Sequence, residues 1–186
     1  MARGLVRAGL GADQATWIGF VIGLGAAAAI ALQHEIGGLA LLLVSRLFDG
    51  LDGAIARLTR PTDRGAFLDI TLDFLFYASI PLAFALADPA ANALAAALLL
   101  AAFVGTGASF LAYAALAAQR GQKSVAYPDK GLYYLAGLTE ATGTLACFVA
   151  MCLWPRWFPV LAYGFAAMCL LTIATRLVAG WRGLPP

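Results

Sequence analysis

The stretch from Phe48 to Leu75, FDGLDGAIARLTRPTDRGAFLDITLDFL, sets four aspartates into sequence otherwise suited to the interior of a bilayer. Asp49 and Asp52 are three residues apart, and Asp69 and Asp73 are four apart, so on helices each pair shares a face. Between the pairs, Arg60-Pro61-Thr62 reads as a turn, because proline lacks the N–H a continuing helix needs and drives its predecessor out of helical conformation. Two helices joined by so short a turn run antiparallel. Residues equally far from Pro61 then lie level with one another. Asp49 and Asp73 are each twelve residues from it, and Asp52 and Asp69 are nine and eight. The stretch therefore predicts four carboxylates converging at one depth, roughly two to three helical turns below the connecting turn.

The chain around this stretch is 186 residues long, 62% hydrophobic and only 12% charged. Its mean hydropathy is +0.85. A soluble domain of this size could not hide so much apolar surface, so the bilayer is the natural solvent. Six segments have the length and composition of transmembrane helices: Thr16–Leu32, Ile36–Leu58, Ala66–Ala87, Ala91–Ala118, Tyr133–Leu153 and Trp157–Ala179. Turn and breaker signals separate them. The expected fold is an all-α integral membrane protein, a six-helix bundle forming one domain over residues 1–186, with its distinctive motif at 49–73. No A-x-A cleavage signal closes the first apolar run, so a retained helix is expected there rather than a signal peptide. The net charge of +2 offers no basic surface for nucleic acid. Cys147, Cys152 and Cys169 lie in apolar runs without ligand spacing and read as core residues.

Basic residues set the expected orientation. Arg3, Arg7, Arg57, Arg60, Arg64, Arg120, Lys123, Lys130 and Arg182 fall at the N-terminus, the second and fourth connections and the C-terminus, whereas the opposite connections hold only Arg156. Both termini and the Arg60–Arg64 turn are thus expected in the cytoplasm, for a protein of the cell's inner or plasma membrane. Trp154 and Trp157 flank the opposite interface.

Ionisable residues within a membrane span are costly and point to function. Four carboxylates at one depth repel one another in a low dielectric, and divalent cations remove that difficulty. A donor set of hard oxygens, without His or Cys, selects Mg²⁺, Mn²⁺ or Ca²⁺ over Zn²⁺. Mg²⁺ characteristically binds through a few carboxylates plus substrate phosphates. Gly53 and Arg57 follow on the same helix, and Gly65 lies level with Arg57, each four residues from Pro61. Glycine lets a ligand approach the backbone, and arginine grips phosphate oxygens through its fork of donors. The structural alternative pairs individual aspartates with Arg46, Arg57, Arg60 or Arg64. Four convergent carboxylates with aligned glycines favour a metal and diphosphate site facing the cytoplasm.

The run Asp49-x2-Asp52-Gly53-x2-Ala56-Arg57-x7-Gly65-x3-Asp69-x3-Asp73 resembles the signature of the CDP-alcohol phosphatidyltransferases at every specified position. The resemblance implies that Asp49, Asp52 and Asp69 bind metal, Mg²⁺ or Mn²⁺, and that Asp73 both contributes to the metal site and acts as the catalytic base. It also implies that Gly53, Ala56, Arg57 and Gly65 contact the cytidine diphosphate. Family members often open the first span with Pro-Asn-x-x-Thr. The matching stretch here is Ala12-Asp13-Gln14-Ala15-Thr16, which keeps Thr16 for the nucleotide and leaves Asp13 as either a nucleotide contact or a helix cap.

The expected reaction moves a phosphatidyl group from CDP-diacylglycerol to a small alcohol and releases CMP, a step of phospholipid biosynthesis. Arg120, Lys123 and Lys130 in the fourth connection either bind a phosphorylated acceptor, such as glycerol phosphate or inositol phosphate, or reflect the cytoplasmic bias of basic residues and attraction to anionic lipid. Glu140 either orients an acceptor hydroxyl or pairs with Arg176. Two other functions fit the same aspartates: transfer from a CDP-amino alcohol to diacylglycerol, and cation transport. Transport would string charges through the membrane depth and show inverted repeats, neither of which is present. Gly19 and Gly23, then Gly105 and Ser109, repeat at four-residue spacing, serving either packing within the chain or the homodimer that the resemblance suggests.

Overall fold

The computed structural model describes residues 1–119 and 141–183, and among these it is entirely helical, with no strand. A short α1 (Ala2–Arg7) precedes α2 (Ala12–Ala31), α3 (Glu35–Leu58), α4 (Asp63–Ala87) and α5 (Pro89–Gln119). After residues 120–140 come α6 (Ala141–Leu153), a 3-10 turn (Pro155–Trp157) and α7 (Phe158–Gly183). Helices α2 to α5 and α7 coincide with five of the expected spans to within a few residues. The remaining span, Tyr133–Leu153, is described only from Ala141 onward.

Among the described residues, four helices are long and apolar enough to cross a membrane: α2, α4, α5 and α7. Helix α3 is excluded by charge and not by length, since its 24 residues extend about 36 Å. Every 18-residue window within it holds at least three of Glu35, Arg46, Asp49, Asp52 and Arg57. Large apolar side chains including Val21, Leu86, Leu94, Val104 and Val160 lie exposed, as lipid-facing residues do.

The chain divides into two compact units, Met1–Ala93 and Leu94–Pro186. In the first, α2 packs extensively on both α3 and α4, while α3 and α4 make little direct backbone contact with each other. Its core includes Ala26, Ile30, Leu42, Ile55, Phe76, Ile80 and Phe84. Close approach depends on the glycines of α2. A Cβ built on Gly19 would lie 3.1 Å from Cβ of Phe48 and 3.2 Å from the carbonyl of Ser45. One built on Gly23 would lie 2.6 Å from the Phe76 ring and 2.9 Å from the Ser45 hydroxyl. The Gly19 and Gly23 face therefore serves packing within the chain. Gln33 adopts φ +62° between α2 and α3. Its Nε2 donates to the carbonyl of Ala87 at 2.9 Å, tying that turn to the last turn of α4.

In the second unit the Phe103 ring meets Phe148 and Phe165 edge to face, with centroids 6.3 and 6.2 Å away. A Cβ on Gly105 would sit 2.7 Å from Ile173, so this small residue too is used inside the chain. Arg176 donates to the carbonyl of Thr106 at 3.0 Å.

A matched pair of substitutions tests the close packing on α2. Gly23→Ala should destabilise the protein by about 1–3 kcal/mol through overpacking against Phe76. Gly25→Ala, whose nearest neighbour would be Leu41 at 3.8 Å, should be neutral or slightly stabilising. Thermal unfolding in detergent reads both, and equal behaviour of the two variants would contradict the packing described.

Candidate active site

Helix α3 ends at Leu58 and α4 begins at Asp63, so the expected turn is four residues long. Thr62 caps α4, its hydroxyl accepting the backbone N–H of Gly65 at 3.0 Å, which satisfies a donor the helix cannot bond itself. The first turn of α2 is capped without Asp13. Gly11 is the N-cap, and the Gln14 side chain accepts its N–H at 3.0 Å. Asp13, one residue inside the helix, is therefore not the cap. It faces the start of α4, with its carboxylate 3.7 Å from Nε of Arg64. The other carboxylate oxygen would stand 3.2 Å from a Cβ on Gly65. Glycine at 65 is what lets the first turns of α2 and α4 meet.

Deeper along the hairpin, one oxygen each from Asp49, Asp69 and Asp73 lie within 4.8 Å of one another. Such a trio of half-buried carboxylates is able to hold a divalent cation. Asp52 is turned toward α2 instead. It is only 6% exposed, beside the Thr16 hydroxyl and the Gly53 N–H, and its Oδ2 is buried without a hydrogen-bond partner. Thr16 is itself buried, donating to the carbonyl of Ala12 at 3.1 Å.

Arg46 stands among these carboxylates. Its Nη1 donates to Oδ1 of Asp73 at 2.7 Å and lies 3.3 Å from Oδ1 of Asp49. Its guanidinium carbon sits 3.8 Å from the Phe76 centroid and 5.7 Å from that of Tyr77. Nη2 donates to the Ser45 hydroxyl at 3.3 Å, and that hydroxyl donates to the carbonyl of Gly19 at 2.7 Å. Of the structural pairings weighed from sequence, the one with Arg46 is thus present. Arg57 and Arg60 make no ion pair with any aspartate among the described residues. Arg57 is exposed, with Nη1 3.4 Å from where a Gly53 Cβ would be, and Ala56 is half-buried beside it.

Phe76 and Tyr77 escaped the sequence reading, although the level rule could have found one of them. Arg46 and Phe76 are each fifteen residues from Pro61, and they meet as that symmetry requires. Arg120, Lys123, Lys130 and Glu140 lie outside the described residues, as does any pairing of Glu140 with Arg176.

Comparison with known proteins extends the match beyond the motif. The family model for CDP-alcohol phosphatidyltransferase aligns with residues 12–178. Inner membrane protein YnjF of Escherichia coli strain K12 is 50% identical over 182 residues, covering 98% of this chain and 88% of YnjF. Archaetidylinositol phosphate synthase of Methanothermobacter thermautotrophicus is 49% identical over a shorter stretch of 70 residues, 37% of this chain and 36% of that enzyme. In fold, the chain is similar to Mycobacterium tuberculosis phosphatidylinositol phosphate synthase (PgsA1) with CDP-DAG bound. That match has a TM-score of 0.72 at 22% identity, covering 97% of this chain and 91% of PgsA1. The same enzyme in complex with manganese and citrate gives a TM-score of 0.69 at 23% identity, over 97% and 87% of the two chains. With the complete aspartate motif on its helical hairpin and a family match over nearly its whole length, the chain belongs to the CDP-alcohol phosphatidyltransferases, membrane-bound phosphotransferases of phospholipid synthesis.

Proposed function

We propose that the protein transfers a phosphatidyl group from CDP-diacylglycerol to a phosphorylated alcohol, such as glycerol phosphate or inositol phosphate, with release of CMP. The observation that carries this reading is the trio of carboxylates from Asp49, Asp69 and Asp73 within 4.8 Å, set in an intact family motif. The CDP-DAG bound to PgsA1 supports the choice of donor. The manganese in that enzyme's other complex supports a divalent cofactor, Mg²⁺ or Mn²⁺, at the trio here. The buried, unpartnered Oδ2 of Asp52 supports a role for the fourth aspartate beside it. When bound, the metal supplies Lewis-acid neutralisation of charge on the diphosphate.

The remaining roles fall to the chain itself. The acceptor hydroxyl attacks the phosphorus that bears the lipid alcohol, forming a new P–O bond. Asp73 takes the hydroxyl proton. The P–O bond to CMP breaks, and CMP leaves with its electron pair. Exposed Arg57 binds the diphosphate through its fork of donors, and Gly53, Ala56, Gly65 and Thr16 line the approach of the nucleotide. Arg120, Lys123 and Lys130 bind the acceptor phosphate, and Glu140 orients its hydroxyl.

In this reading residues 1–186 form one catalytic membrane domain with six spans, α2 to α7, counting α3 despite its charges. Both termini and the site face the cytoplasm, as the distribution of basic residues favours. The inner-membrane naming of YnjF agrees with that location. A homodimer would use faces other than those of Gly19, Gly23 and Gly105, which pack inside one chain.

Purified protein given CDP-diacylglycerol, Mn²⁺ or Mg²⁺ and a panel of alcohol acceptors should release CMP with a phosphorylated acceptor. No release with any member of the panel would overturn the reading. Chelation should abolish turnover, and either cation should restore it. Asp73→Asn should slow CMP release by about a hundredfold or more while CDP-diacylglycerol still binds. Near-normal release by that variant would remove Asp73 from the role of base.

A further inference from the structure

We infer that Arg46 is an internal counter-cation that competes with the divalent metal for Asp49 and Asp73, and so sets how tightly the site holds metal. This rests on the reading of the carboxylate trio as a metal site. A single nitrogen, Nη1, stands 2.7 Å from Oδ1 of Asp73 and 3.3 Å from Oδ1 of Asp49. It bridges two of the three carboxylates that would hold the metal, so the guanidinium and the metal would draw on the same pair of side chains.

Arg46 is also held independently of the aspartates. The face of Phe76 lies 3.8 Å away, and Ser45 accepts from Nη2 at 3.3 Å. Its positive charge therefore stays beside the site when the carboxylates turn to a metal. Nε is buried and makes no hydrogen bond among the described residues. Two cations beside the same carboxylates repel, and the arginine lowers the affinity for metal. In the metal-free protein the same charge balances the carboxylates and stabilises the fold. A diphosphate substrate brings negative charge that offsets Arg46, so the metal is held more tightly once the nucleotide has arrived.

The test uses full-length protein in detergent, stripped of divalent ions, with Mn²⁺ binding followed by electron paramagnetic resonance and thermal unfolding followed with and without Mn²⁺. Arg46→Gln should bind Mn²⁺ about tenfold or more tightly than the wild type, by removal of one nearby charge. Its metal-free Tm should fall, and the rise in Tm on adding Mn²⁺ should grow. Arg46→Lys keeps the charge and should stay near wild-type affinity. Arg46→Met, which removes the charge but keeps an unbranched stem against the Phe76 ring, should likewise tighten binding by about tenfold. This variant carries the comparison if Arg46→Gln does not fold. Equal or weaker Mn²⁺ binding by Arg46→Gln overturns the inference, as does an equal shift in the Lys variant. Unchanged or weaker binding by Arg46→Met does so where that variant stands alone. Absence of Mn²⁺ binding by the wild-type protein overturns instead the metal reading on which the inference rests.

Discussion

Clustered, half-buried carboxylates need compensating positive charge, and in the structure Arg46 stands beside two of them. An isolated ionised group in a low dielectric is costly enough that the surroundings must be built to hold its partner. Here the guanidinium is shared between Asp73 and Asp49 and stacked on Phe76. Its remaining bond runs to Ser45, whose hydroxyl is anchored on the carbonyl of Gly19. The glycines of α2 belong to the same system. Gly23 accommodates the Phe76 ring and the Ser45 hydroxyl at distances no other residue would allow. The charged site is thus supported by an apolar packing arrangement one layer away.

That dependence makes α2 the organising element of the first unit. Helices α3 and α4 both pack against it and make little direct backbone contact with each other, which leaves their facing side chains free to supply the carboxylate trio. Near the start of α2, Asp13 meets Arg64 and Gly65. At its other end, Gln33 reaches the carbonyl of Ala87. With contacts at both ends and a glycine face between them, the helix fixes the separation of α3 and α4. The distances among Asp49, Asp69 and Asp73 follow from that separation.

Much of this was legible in the sequence because a hairpin with a short turn obeys simple arithmetic. Symmetry about Pro61 brings Asp49 to Asp73 and, applied further, Arg46 to Phe76. The same arithmetic fixes depth but not direction. Asp52 is level with the other aspartates, yet its side chain turns to Thr16 on α2, because three residues along a helix rotate a side chain about 60° short of a full turn. Only the position of α2 decides which direction is inward. Of the two readings open at Asp13, the cap is excluded, because Gly11 and Gln14 close the first turn and Asp13 sits inside the helix. Charge alone sets α3 apart from the apolar spans, and the charges that do so include those that build the site.

The distribution of these features along the chain bears on how specificity is encoded. The whole aspartate motif, its counter-charge and the helix that supports them fall within Met1–Ala93. On the proposed reading this half handles what all donors share, a diphosphate and a metal. The acceptor candidates Arg120, Lys123, Lys130 and Glu140 all come later in the sequence. The donor half is tightly constrained, because Gly23, Phe76, Ser45 and Arg46 pack on one another beside the carboxylates. A constrained donor half is what the physics of buried charge favours. Substituting one carboxylate strands a partner in low dielectric, whereas altering a solvated phosphate contact costs little beyond that contact.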